Sequence, residues 1–86
     1  MSVTWVAAAG AHPPRVAYAV GRDVGGSVAR NRLRRRLRAI VAELGPDLAP
    51  GAYLVGAGPD ADVRSHDDLR ALVHDAVAEA SGSGRP

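Results

Sequence analysis

The stretch "RVAYAVGRDVGGSVARNRLRRRLRAIVAEL", Arg15 to Leu44, changes its hydrophobic period half-way along, and that change decides the fold. In its first part Val16, Tyr18 and Val20 alternate with Ala17 and Ala19, the two-residue repeat of a strand expected over Arg15 to Arg22. Gly25 and Gly26 then free the backbone to turn, and Ser27 stands where a helix cap is expected. Beyond it Leu33, Leu37, Ile40, Val41 and Leu44 recur at the spacing of an amphipathic helix, which Gly45-Pro46 should end. Strand, glycine turn and helix therefore follow one another within thirty residues.

Working outward, Val3 to Ala9 reads as an earlier strand carrying Trp5, separated from the next by Gly10 and Pro13-Pro14 and expected to pair with it as an antiparallel hairpin. Downstream, Ala52 to Ala57 is a short apolar run suited to a buried strand, and "GPDADVR" reads as a polar loop. Ser65 with Asp68 resembles a capping box, and Leu69, Leu72, Val73, Ala76, Val77 and Ala80 mark a second amphipathic helix. The order strand, strand, helix, strand, helix predicts an α+β fold: one domain over residues 1–80, a small mixed sheet of about three strands with two helices, and a flexible tail at 81–86.

Eighty-six residues suit a single core, one built of small pieces, since the chain has no Phe, one Trp and two Tyr. The absence of Cys excludes disulfides and thiolate metal sites. No run approaches the ~20 apolar residues of a membrane span and no secretory leader is visible, so the expectation is a cytoplasmic protein without a membrane partner. The net charge of +2 conceals a division. Residues 1–42 carry eight Arg against one Asp, +7, and residues 43–86 carry three Arg against eight acids, −5.

Six of the ten residues from Ala29 to Arg38 are arginine, and no acid lies among them. At about 100° per residue, Asn31, Arg34, Arg35 and Arg38 share the sector opposite the leucine stripe, with Arg30, Arg32 and Arg36 on its flanks. Five like-charged pairs at i, i+3 or i, i+4 repel by about 1 to 2.5 kcal/mol in total at low salt, and cations near the helix start oppose its dipole. A solvated face would mix signs. A polyanion relieves the repulsion, and guanidinium forks match phosphate oxygens. Neutralising about five phosphates predicts a several-hundredfold loss of affinity between 50 and 200 mM salt. With no helix-turn-helix or zinc-finger spacing, structured RNA fits better than sequence-read DNA.

The segment Arg15 to Arg38 resembles the signature of the bacterial ribonuclease P protein subunit: a strand ending in Ser-Lys-Lys, a Val-Gly loop, Arg-Asn-Arg, a Lys/Arg pair and a further Arg three residues on. The positions that match are Arg30, Asn31, Arg32, Arg34, Arg35 and Arg38, with Arg22 where the first Lys stands. The resemblance extends over Val3 to Ala80. It implies a fold related to the left-handed βαβ arrangement of some ribosomal proteins, and a subunit of the ribonuclease P holoenzyme, an endoribonuclease that matures the 5′ end of tRNA. Catalysis would belong to the RNA with its Mg2+. The protein would bind no cofactor or metal itself, hold no catalytic residue and need no obligate protein partner. Its partners would be the catalytic RNA, met by Arg22, Arg30, Asn31, Arg32, Arg34, Arg35 and Arg38, and the 5′ leader of precursor tRNA, with Trp5, Tyr18 and Arg15 as candidates to face it. The departures are Asp23 in place of a second Lys, Ala39 in place of a Glu, and the expected lack of the N-terminal helix and first strand with which the family pattern begins.

Two other readings stand beside this one. A general RNA- or ribosome-associated module could share the fold without tRNA processing. An autonomous metal-dependent nuclease would use His66, Asp67 and Asp75, though the separation of His66 and His74 does not match the i, i+4 spacing a helical metal site prefers. "GRDVGG" lacks the Gly-Lys-Ser/Thr ending of a phosphate loop.

Overall fold

The structure, a computed structural model, describes residues 1–7, 14–45 and 48–82. Strand β1 is Ser2–Val6 and β2 is Arg15–Val20; a single 3-10 turn, Arg22–Val24, leads to helix α1, Ser27–Glu43. Strand β3, Ala52–Ala57, the one-turn helix α2, Pro59–Asp62, and helix α3, His66–Gly82, complete the order. β3 has the bounds its apolar run predicts, and α1 and α3 carry the two apolar stripes.

The sheet order is β1-β3-β2. β3 runs antiparallel to β1, Thr4 facing Leu54, and parallel to β2, Ala17 facing Leu54. The expected β1–β2 hairpin is therefore wrong: the two strands are the edges and β3 lies between them. The physical reason lies in their apolar content. Apart from the Tyr53 hydroxyl β3 carries no polar side chain, and its inward Tyr53, Val55 and Ala57 are buried, whereas β1 holds Ser2 and Thr4 and its inward Val3 and Trp5 are only half-buried. A strand paired on both sides belongs where the sheet is most apolar. The β2–α1–β3 crossover that parallel pairing requires is supplied by the arginine helix itself.

Tyr53, Val55, Ala57 and Val20 turn toward the helices, where they meet Leu33, Leu37, Ile40 and Val41 of α1 and Leu69, Val73 and Val77 of α3 in one core. Tyr53 keeps its hydroxyl satisfied by donating to the Ala49 carbonyl at 2.9 Å. Among the described residues no helix covers the opposite face of the sheet, where Ser2, Thr4, Val6, Arg15, Ala17, Ala19 and Leu54 are exposed.

Three further expectations need correction. The "GPDADVR" segment contains α2 rather than only loop, because Pro59 supplies a preset first helical φ and Ala61 is fully buried against the core; the described residues thus hold three helices, not two. Ser27 is the first residue inside α1; Gly26 holds the cap position, with no side-chain hydrogen bond. α3 continues to Gly82, two residues into the segment expected to be a tail. Ser65 does act as the α3 cap, accepting from the Asp68 N–H at 3.2 Å. The expectations for Ala8 to Pro13, Pro46 and residues 83–86 lie outside the described residues.

Gly51 opens β3 at φ +147°, and a Cβ there would come within 2.5 Å of the Val6 carbonyl oxygen and 2.6 Å of Trp5 Nε1. Both the backbone conformation and the close approach require glycine. Gly51→Ala is expected to cost about 2 to 4 kcal/mol, measured as a fall in the urea midpoint; a change below ~1 kcal/mol would contradict the β1–β3 geometry.

Candidate nucleic-acid interface

α1 lies against β2 and β3 on its leucine side and leaves its outer side to solvent. Gly25, at φ +146°, sets the entry to the helix, and the first turn holds no acid. The free N–H groups, the positive end of the helix dipole and the arginines all carry the same sign. Among the described residues, no acid of the first turn offsets that potential.

The arginines divide into three groups. Asn31, Arg34, Arg35 and Arg38, with Val28, line a shallow groove of ≈ 450 Å³ along the outer side. Within it Arg34 Nη1 donates to Asn31 Oδ1 at 3.1 Å, which fixes the fork relative to the helix axis. The Arg38 guanidinium stands 5.8 Å from the centre of the Tyr18 ring, on the sheet side of the groove. Burial pushes the Tyr18 phenol above its ordinary pKa of 10.0, and Arg38 offsets part of that rise; the ring therefore stays neutral at physiological pH and offers a π face to the cation.

Arg32 and Arg36 make the second group and turn the other way, toward the end of α2. Arg36 donates from Nη1 to the Asp62 carbonyl at 3.1 Å and from Nη2 to the Arg64 carbonyl at 2.7 Å. Arg32 Nη2 is 3.7 Å from Asp62 Oδ2. The i, i+4 repulsion between these two arginines is thus met inside the molecule, by carbonyl oxygens and one carboxylate. Arg30 stands alone on the opposite flank, half-buried, its Nε without a hydrogen-bond partner among the described residues.

The other expected site residues fall into different places. Arg22 is exposed in the 3-10 turn beside Asp23. Asp23 and Arg34 both border an open cleft of ≈ 760 Å³ at the end of the sheet, which Asp60 also lines. Arg15 lies on the open face of the sheet. Trp5 and Tyr18 do not: both are half-buried on the helix-covered face, packed against the core. The structure therefore gathers Asn31, Arg34, Arg35 and Arg38 into one surface, with Arg30 and Arg32 at its borders, and separates it from Arg15. Sequence reasoning missed Asp62; the like-charged pair Arg32 and Arg36 on one flank was the signal that a counter-charge was needed there. His66, Asp67 and Asp75 are not gathered into a metal site: no three His, Cys, Asp or Glu among the described residues form a group that could hold a metal ion. Among those residues no helix is long and apolar enough to cross a membrane.

A basic helix carrying Arg30, Asn31, Arg32, Arg34, Arg35 and Arg38, crossing from an edge strand to a central one, is the feature to compare with known proteins. The family model described as Ribonuclease P matches residues 1–81. The chain belongs to the ribonuclease P family. Among its relatives, the ribonuclease P protein component of Mycobacteroides abscessus is 35% identical over 74 residues, 85% of this chain and 58% of that protein. That of Salinispora tropica is 42% identical over 69 residues, 79% of this chain and 51% of that protein. The chain thus spans about half the length of these ribonuclease P proteins. A solved structure described as a Staphylococcus aureus RNase P protein mutant with defective mRNA degradation activity superposes with a TM-score of 0.75 at 17% identity, covering 90% of this chain and 64% of that one. The ribonuclease P protein fold is shared even where the sequences have diverged.

Proposed function

We propose that this chain acts as the protein component of ribonuclease P, binding the catalytic RNA through α1 and assisting 5′-end maturation of precursor tRNA. The observation that carries this reading is the outer side of α1, where Asn31, Arg34, Arg35 and Arg38 stand together with no acidic partner among the described residues. Phosphates supply the missing counter-charge. Hydrolysis belongs to the RNA and its Mg2+; the chain contributes position and charge. Tyr18 supports Arg38 rather than stacking on a base, and Arg15, on the open sheet face, is the residue best placed to meet the leader.

The test is single-turnover cleavage of a precursor tRNA by a bacterial ribonuclease P RNA at limiting magnesium, with and without the chain. Stimulation by at least about tenfold, ~1.4 kcal/mol of barrier, is the expected result. One other outcome is distinguishable, a binding module that keeps the RNA-binding helix without tRNA processing. That reading gains if tight, salt-sensitive RNA binding persists with no stimulation. Because the S. aureus protein is associated with mRNA degradation, an mRNA belongs in the assay as a parallel substrate.

A further inference from the structure

Among the described residues, Asp62 is the only acid from another element that pairs with an arginine of α1. Its side chain is largely covered, 17% exposed against 56% for Arg32. The backbone on either side of Val63 is gripped by Arg36, through the carbonyls of Asp62 and Arg64. The carboxylate is therefore the fixed half of the pair and Arg32 the movable half. The fit is also incomplete. Asp62 Oδ1 is buried with no hydrogen-bond partner among the described residues, and the 3.7 Å separation at Oδ2 is well beyond the ~2.7–2.9 Å of a charge-assisted hydrogen bond. Arg32 follows Asn31 directly, about 100° round the helix, so its side chain can reach either Asp62 or the outer side.

Resting on the reading that α1 binds RNA, we propose that Asp62 is a positioning residue that holds Arg32 away from the RNA-facing side in the free protein. Its carboxylate occupies the guanidinium that an RNA phosphate takes in the complex. Binding then exchanges one internal anion for an external one. Affinity and salt dependence both fall below what the number of exposed arginines implies.

The experiment is filter binding of a bacterial ribonuclease P RNA transcript to the full chain over a series of salt concentrations. The variants are Asp62→Asn, Asp60→Asn, Arg32→Gln, Arg35→Gln and the Asp62→Asn/Arg32→Gln pair. Asp60 is exposed, close by and makes no ion pair with α1 among the described residues, so Asp60→Asn measures the general effect of removing one negative charge. Asp62→Asn is expected to bind about two- to fivefold tighter than Asp60→Asn, the range a loosely fitted ion pair with one exposed partner allows. Its salt slope should steepen by up to about 0.9. In the Arg32→Gln background the gain disappears. Equal affinities for Asp62→Asn and Asp60→Asn, or a gain that survives loss of Arg32, overturn the proposal. A comparison that does not depend on any Asp62 variant folding is Arg32→Gln against Arg35→Gln: the first should cost less affinity, and equal costs again count against it. Absence of salt-sensitive binding by the unaltered chain would instead overturn the RNA-binding reading itself, and this inference with it.

Discussion

Replacing Arg34, Arg35 and Arg38 together by alanine is expected to weaken binding to ribonuclease P RNA by about 100- to 200-fold at 150 mM salt. The size follows from counterion release. A phosphate contact with a slope of ~0.9 contributes a factor of about 5 to 6 at 150 mM relative to 1 M salt, and three contacts multiply. The logarithmic salt slope should fall by about 2.7 in the same titration. The fold should not suffer: Arg35 and Arg38 are exposed, none of the three pairs with an acid among the described residues, and alanine has the higher helix propensity. Losing the repulsive pairs Arg30–Arg34, Arg32–Arg35, Arg34–Arg38 and Arg35–Arg38 should raise the thermal midpoint slightly at low salt. A drop in affinity with an unchanged or higher melting temperature is therefore the signature. Arg64→Ala, outside α1, should change affinity by less than about threefold, as a peripheral cation does at this ionic strength. If the triple variant binds within about threefold of the unaltered chain, α1 is not the RNA surface.

Leu37→Ala is the second large effect, on stability rather than binding. Leu37 is 0% exposed and lies on the inner side of α1 between Leu33 and Val41, facing the core that includes Val55 and Val73. Truncating such a side chain costs about 3 to 5 kcal/mol, the higher end where neighbours cannot relax into the void. The core it shares is built of valine, alanine, leucine, Ile40 and Tyr53, the last tethered by its hydroxyl, and the chain has no Phe to move inward, so the higher end applies. A chain of 86 residues has about 4 to 13 kcal/mol of total stability. The variant should be partly or largely unfolded at 37 °C, as far-ultraviolet circular dichroism would show. Saturating RNA should restore part of the melting temperature, since a ligand of the native state pulls the equilibrium back. A loss below ~1.5 kcal/mol would mean that α1 is not seated on the sheet through this residue.

The elements were legible where side chains alone determine them. The spacing of Leu33, Leu37, Ile40 and Val41 defines which side of α1 is buried, and those four residues are buried. Leu69, Val73 and Val77 do the same for α3. Strand pairing was not legible, because closeness in sequence favours a β1–β2 hairpin whereas pairing is decided by which strand is most apolar. The roles of Arg32 and Arg36 were hidden for a different reason. Arg36 binds backbone carbonyls, which carry no sequence signature, and those carbonyls are presented by a four-residue helix too short to show a period. Trp5 and Tyr18 invited a stacking role as aromatic residues on strands, but strand alternation places them on the same side as Val16 and Tyr53, beneath the helices.

Because β3 separates β1 from β2, the order of synthesis differs from the order of assembly. Neither edge strand has a partner until Ala52 to Ala57 has been made, when about two-thirds of the chain already exists. By the end of that interval the +7 segment is in place, while six of the eight acids that balance it are still to come. Every contact between β1 and β3 closes a loop of some fifty residues, so folding awaits a late, long-range event. The nascent chain passes through a stage in which the arginine segment has neither a core to rest on nor a carboxylate at Asp62 to meet it. At that stage the charge of the arginine segment is the least balanced it will ever be within the chain.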